Sequence, residues 1–193
     1  MDKKRIIWLS TLGALCLVLI LLFILTLGGE RSKAGQVYDF QPEDQSTEPM
    51  EVTTVSLFFP SEEDDLLHPE EREIPAYVSI AQQARRTIEE LIKGPESDLI
   101  NPIPPETKLR ELYITGSGDA FVDFTREIRE NHPFGSSADI ATIYSIVHSL
   151  TENFDEIKRV YILIDGGERE TLGGHIDLRR PFLPRNDLIA PPR

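Results

Sequence analysis

Between Ser136 and Asp165 the apolar positions change their period. Ile140, Ile143, Tyr144, Val147, Leu150 and Phe154 recur three and four residues apart, which sets them on one face of a long helix. Ser136 stands where an N-cap is expected, and Asp139 falls at the third helical position, where its charge meets free amides. On the same spacing His148 falls at the polar edge of the helix and is expected to be exposed. The run Val160 to Ile164 is then apolar on both alternating faces, the pattern of a central strand covered on both sides, and Asp165-Gly166-Gly167 is a turn.

The chain before this segment supplies a sheet for the helix to lie on. Thr53 to Phe59 alternates and is rich in β-formers, so it predicts a strand that ends at Pro60 and the acidic run Glu62 to Asp65. Those consecutive acids lack the glycine and spacing of a calcium loop and read as a solvated loop. Glu73 to Tyr77 predicts a short edge strand, because Pro75 cannot donate to a ladder. Ser79 to Lys93 predicts a helix, with capping-box spacing at Ser79 and Gln82 and a buried stripe of Ile80, Ala84, Ile88, Leu91 and Ile92. Gly94-Pro95 stops it, and Arg85, Arg86, Glu89 and Glu90 are expected to face solvent. Lys108 to Thr115 and Asp119 to Phe124 predict an antiparallel pair joined at Gly116-Ser117-Gly118. Thr125 to Asn131 predicts a short helix, and His175 to Leu178 a short return strand. The expected fold class is α+β, with two helices packed on one face of a mainly antiparallel, mixed sheet.

Ahead of this domain, Ile6 to Leu27 is a 22-residue stretch without a charge, long enough to span a bilayer as a helix. A cleaved signal peptide has a shorter apolar core and a small-residue cleavage site, which Thr26 to Gly29 does not match. A lipoprotein signal needs a small residue before its cysteine, and Leu15 precedes Cys16. The segment is therefore expected to be an uncleaved anchor. Lys3, Lys4 and Arg5 favour a cytoplasmic start, which leaves the rest of the chain outside the cytoplasmic membrane. The expected organisation is a cytoplasmic N-terminus at 1–5, a transmembrane helix at 6–27, a disordered linker at 28–51, a folded domain at 52–181 and a C-terminal tail at 182–193. The linker, rich in Gly, Ser, Glu, Gln and Pro, has a root-mean-square reach of roughly 25–30 Å.

The net charge of -13 repels phosphate backbones, so nucleic acid is not an expected partner. The single cysteine, Cys16, lies in the apolar stretch, so the folded part relies on its core without a disulfide. Four histidines, His68, His132, His148 and His175, show no zinc-protease spacing, and no nucleophile elbow, phosphate loop or Cys-x-x-Cys is present. His175 and Asp177, one residue apart on the expected return strand, are placed to meet Asp165 or Glu168 across a hairpin. That constellation would make a metal or acid/base cluster and carries the minor alternative of a metal-assisted hydrolase. A polar hairpin end accounts for the same residues, and no catalytic, cofactor or metal residue is assigned.

Seven short motifs, in order, resemble one known family. They are Leu57-Phe58-Phe59, Leu91-Ile92-Lys93-Gly94-Pro95, Ile103-Pro104-Pro105-Glu106-Thr107, Ala120 to Thr125, Ile146 to Phe154, Ile164-Asp165-Gly166 and Gly174-His175-Ile176-Asp177. The chain from about Thr53 to Pro181 is similar to the GerMN (sporulation and spore germination) domain family. The resemblance implies a noncatalytic domain outside the cytoplasmic membrane, with a fold like the ring-building motifs of sporulation and secretion assemblies. Members include sporulation lipoproteins with tandem copies and lipoproteins that partner sensor kinases. This sequence differs in having one copy and a membrane span in place of a lipid anchor. The expected function is thus a membrane-anchored, extracytoplasmic envelope protein that acts through protein contacts or self-assembly. The alternative is a module that senses a glycan or peptide and reports through a partner.

Overall fold

The computed structural model describes residues 51–133 and 135–191. The expected anchor at 6–27 and the linker up to residue 50 lie outside them. Among the described residues no helix is long and apolar enough to cross a membrane.

The fold is α+β, built on two sheets where one was expected. A two-stranded antiparallel sheet joins β1 (Val52–Pro60) and β2 (Leu67–Pro75). A three-stranded mixed sheet has the order β3 (Leu109–Ile114), β4 (Asp119–Phe124), β5 (Arg159–Ile164). In it β3 and β4 are antiparallel, and β4 and β5 are parallel. The helices are α1 (Ile80–Lys93), the short α2 (Glu127–Glu130) and α3 (Ser136–Thr151). Leu57, Phe59, Ile74, Ile88, Leu91, Phe124, Ile143, Ile146, Leu150 and Ile162 are fully buried and form one core between sheets and helices.

β2 is longer than its sequence suggested. Its prolines and acids disfavour a strand, yet it pairs residue for residue with β1 from Val52↔Pro75 to Pro60↔Leu67. The apolar partner strand decides the outcome. The other edge of β1 is closed by side chains at the end of α3. Asn153 Oδ1 accepts from the Ser56 N–H at 2.9 Å, and Asn153 Nδ2 donates to the Ser56 carbonyl at 2.7 Å. Ser149 Oγ accepts from the Phe58 N–H at 3.0 Å. The side chains thereby stand in for a missing strand and block pairing with another chain.

β5 is an edge strand, not the central one. Val160, Ile162 and Ile164 point inward, while Tyr161 and Leu163 are half-buried on the other face. The C-terminal segment, expected as a tail beyond the folded domain, covers its outer edge. Val160 and Phe182 exchange backbone hydrogen bonds at 2.9 and 2.8 Å. The segment then passes His148, whose Nε2 lies 3.1 Å from the Arg185 carbonyl oxygen, and reaches β2, where the Ala190 N–H donates to the Leu67 carbonyl. His148 is consequently buried, packed against Phe58 and Tyr144, and not exposed as its helical position implied. Burial pushes its imidazole pKa down, against a hydrogen bond to the Arg185 carbonyl.

Two helix details also differ. Ser79 is the N-cap of α1 but makes no capping side-chain bond; Gln83 Oε1 instead accepts from the Tyr77 N–H at 2.7 Å. Ile80 is exposed, whereas Glu90, expected in solvent, is buried among Arg72, Arg86 and Lys93. Arg72 reaches from β2 to the C-terminal end of α1 and donates to the carbonyls of Glu90 and Gly94 at 3.2 and 3.1 Å. There a cation meets the negative end of the helix dipole. Glu70 pairs with Arg72. Burial works to raise the Glu70 pKa, but hydrogen bonds from Ser97, the Glu96 N–H and Arg72 outweigh it and hold the carboxyl below its usual value.

Candidate functional site

Three features stand out above the packed frame. The first is the outer face of the three-stranded sheet. Alternation along the strands sends Leu112, Ala120, Val122, Val160 and Ile162 inward and leaves Tyr113, Phe121 and Tyr161 on the opposite face. Register places these three in one row, Tyr113 opposite Phe121 and Phe121 opposite Tyr161. The Phe121 and Tyr161 rings stack with centroids 4.5 Å apart and planes 9° apart, the geometry that an in-register parallel pair gives to neighbouring rings. Tyr113 at the end of the row is 65% exposed. One flank of the row carries Arg159, paired with Asp119 at 2.6 and 3.0 Å. A hydrogen bond from the Ser117 hydroxyl, together with Arg159, holds the Asp119 carboxyl below its usual range. On the other flank Arg110 approaches Asp123 at 3.4 Å and Asp165 at 3.8 Å.

The second feature is a cavity of about 370 Å³ at the start of α3. Its apolar lining comes from Pro60, Leu67, Pro102, Pro133, Ile140 and Leu188, and Ser61, Asp65 and Asn101 add polar groups.

The third feature is a buried polar cluster beside that cavity. Gly135, with φ 129°, is the N-cap of α3, so Ser136 is its first helical residue and not the cap. Asp139 is fully buried. Its Oδ1 accepts from the Gly173 N–H at 2.9 Å and its Oδ2 from the His175 N–H at 3.1 Å. His132, also buried, has Nδ1 2.7 Å from the Pro133 carbonyl oxygen and Nε2 2.8 Å from Thr142 Oγ1. The Thr142 hydroxyl oxygen also lies 2.6 Å from the Pro102 carbonyl oxygen. Burial pushes the His132 imidazole pKa down, opposed by the Pro133 carbonyl and by Asp139. The cluster ties the Pro102 and Pro133 walls and the 173–175 segment to one turn of α3. Its role is architectural, and it was not visible as a site in the sequence, because its members come from four separate stretches of chain.

The hydrolase cluster does not assemble. His175 is held through its backbone, and the segment around it makes an isolated bridge, Thr171↔Asp177, in place of the expected return strand. Asp177 is bonded to Arg179 at 2.9 Å, which together with the Arg179 N–H holds its carboxyl down at about 2. Asp165, in the left-handed region at φ 53°, faces Arg126 at 3.4 Å and Arg110. Among the described residues no group of three His, Cys, Asp or Glu side chains is placed to hold a metal ion.

A family model described as Germane, sporulation and spore germination, matches residues 56–170. No curated protein matches the chain at a significant level. Among solved structures, the chain is similar to a candidate lipoprotein from Clostridium perfringens, with a TM-score of 0.51 and 23% identity over 74% of this chain and 96% of that one. It is similar to the first GerMN domain of the sporulation protein GerM from Bacillus subtilis, with a TM-score of 0.53 and 19% identity over 70% of this chain and 99% of that domain. Against the tandem GerMN domains of the same protein the TM-score is 0.54 and the identity 18%, over 71% of this chain and 48% of the pair. At these identities the likeness is one of fold.

Proposed function

The chain belongs to the Germane family of sporulation and spore germination domains, and from that premise we propose that it is a membrane-tethered envelope protein that acts by binding other proteins and not by catalysis. The observation that carries this reading is the row of Tyr113, Phe121 and Tyr161 on the open face of the three-stranded sheet. Aromatic side chains bring a large buried area to a contact at little entropic cost, and tyrosine is enriched among the residues that dominate binding. Arg159 with Asp119 and Arg110 with Asp123 frame the row with both signs of charge, the polar rim such a contact needs. The apolar stretch Ile6 to Leu27 supports the tether, and the candidate lipoprotein of similar fold supports an envelope setting. The dispersal of His175, Asp177 and Asp165 into separate structural contacts supports a role other than hydrolysis.

The test is the native size of the full chain, extracted from its own membranes in mild detergent. Wild type is expected to migrate in a complex larger than the detergent-bound monomer, and Tyr113→Glu to release the monomer. Tyr113 is exposed, so the substitution should change stability by no more than about 0.5 kcal/mol. A wild-type chain that is monomeric at every mild extraction overturns the proposal.

A further inference from the structure

We infer that the cavity at the start of α3 receives an apolar side chain from a partner protein segment that carries a lysine or arginine next to it. This deepens the protein-binding reading above and rests on it.

The cavity has the size and lining of a binding pocket. Its volume, about 370 Å³, lies in the range of ligand sites, and its walls are mainly apolar. Three walls are prolines from separate segments: Pro60 at the end of β1, Pro102 and Pro133. Their rings restrict the backbone. The Pro102 and Pro133 carbonyls are further held by Thr142 and His132 inside the domain. The pocket therefore exists before anything enters it, and an incoming group meets little ordering cost.

Charge selects the occupant. Among the described residues no lysine or arginine lines the cavity, and the charged side chain there is Asp65. Asp65 closes the acidic run Glu62 to Asp65 at the β1–β2 turn, in the left-handed conformation with φ 57°. Two of the neutral polar groups there already have partners within the domain. Ser61 Oγ accepts from the Glu63 N–H, and Asn101 bonds to the Ile103 N–H and the Ile92 carbonyl. The exposed Asp65 carboxylate at the opening favours a cationic neighbour over an anionic one. An apolar side chain satisfies the interior, and an adjacent ammonium or guanidinium satisfies Asp65. The apolar walls and the acidic rim are thus two halves of one specificity.

Random heptapeptides displayed on phage, panned on the full chain in lipid nanodiscs and counter-selected on empty nanodiscs, read the occupant's chemistry directly. The expected recovery is sequences with Leu, Ile, Met or Phe within two positions of Lys or Arg. A synthetic peptide from that set should bind at least tenfold more weakly to Ala141→Trp and to Ala138→Phe, each of which fills the cavity from α3, and severalfold more weakly to Asp65→Asn. Melting curves identify which cavity variants are folded, and Asp65→Asn, at an exposed turn, serves if neither is. Recovery of nothing above the empty discs, of sequences without a basic residue, or of peptides indifferent to both the cavity and Asp65 variants overturns the inference. Loss of binding in Tyr113→Glu alone also overturns it, because the peptide then sits on the sheet, while the protein-binding reading stands.

Discussion

Asp139 offers the sharpest test of how the domain is held together. Its carboxylate is fully buried and accepts the backbone N–H groups of Gly173 and His175, 34 and 36 residues away in sequence. Hydrogen bonds to a charged acceptor contribute about 1.5–3 kcal/mol each. Asp139→Ala removes two of them and leaves two N–H groups without a partner, so the expected loss is about 3–6 kcal/mol. That is a large part of the roughly 5–15 kcal/mol that stabilises a typical domain. Asp139→Asn keeps one acceptor oxygen and turns an amide donor toward the other N–H, so it should lose about half as much. The assay is urea unfolding of residues 51–193 followed by circular dichroism, with the slope against urea checked for constancy. Amide exchange supplies the local readout: the Gly173 and His175 amides should lose protection in Asp139→Asn before those of β4. A loss below about 1 kcal/mol in Asp139→Ala, or unchanged exchange at residues 173 and 175, would refute the clasp.

Gly173→Ala probes the same clasp from its other side. An added Cβ would lie 2.3 Å from Asp139 Oδ1 and 3.2 Å from His132 Nδ1, both buried, so overpacking should lower stability by about 1–3 kcal/mol in the same urea assay. Arg72→Met takes the cation from Glu70 and the donor from the Glu90 and Gly94 carbonyls, while Glu90 keeps Arg86 and Lys93, so the expected loss is about 1–3 kcal/mol, reduced in the double variant Arg72→Met with Glu70→Gln. Burial lowers the pKa of both His132 and His148. The unfolded chain therefore binds more protons between the folded and unfolded values, and stability is full above about pH 6.5 and falls as pH drops below it. Unfolding free energies measured from pH 7.5 to 5 should decline with a slope of at most about 2.7 kcal/mol per pH unit, two protons' worth. A flat profile over that range would mean that neither ring is held neutral.

Short-range pattern was enough to find α1, α3 and the β3–β4 hairpin, because each buries a stripe whose period matches its own geometry. It failed where a partner distant in sequence decides. β2 shows in the sequence only as the short edge strand Glu73 to Tyr77, because Pro69, Pro75 and the acids Glu70, Glu71 and Glu73 disfavour a strand, yet apolar β1 recruits all of 67–75 into pairing. His148, Ser145 and Ser149 look like a polar helix face, but that face is covered: Ser149 closes the edge of β1, and the chain at Arg185 lies across His148. The doubly apolar β5 suggested a central strand, whereas it lies at the sheet edge and its second face carries the half-buried Tyr161 of the aromatic row. The row was legible in principle, since Tyr113, Phe121 and Tyr161 occupy outward positions once the register is known. The cavity was not, because no single stretch of chain supplies more than part of its wall.

The central claim is that the open sheet face is a protein contact in the envelope. A photoreactive phenylalanine analogue at position 113, irradiated in intact cells, tests it most directly. The account predicts a discrete crosslinked species containing a second envelope protein or a second copy of this chain. It also predicts no such species from the same probe at position 89 on the solvent side of α1. Equal, diffuse crosslinking from both positions, or none from position 113, would contradict it.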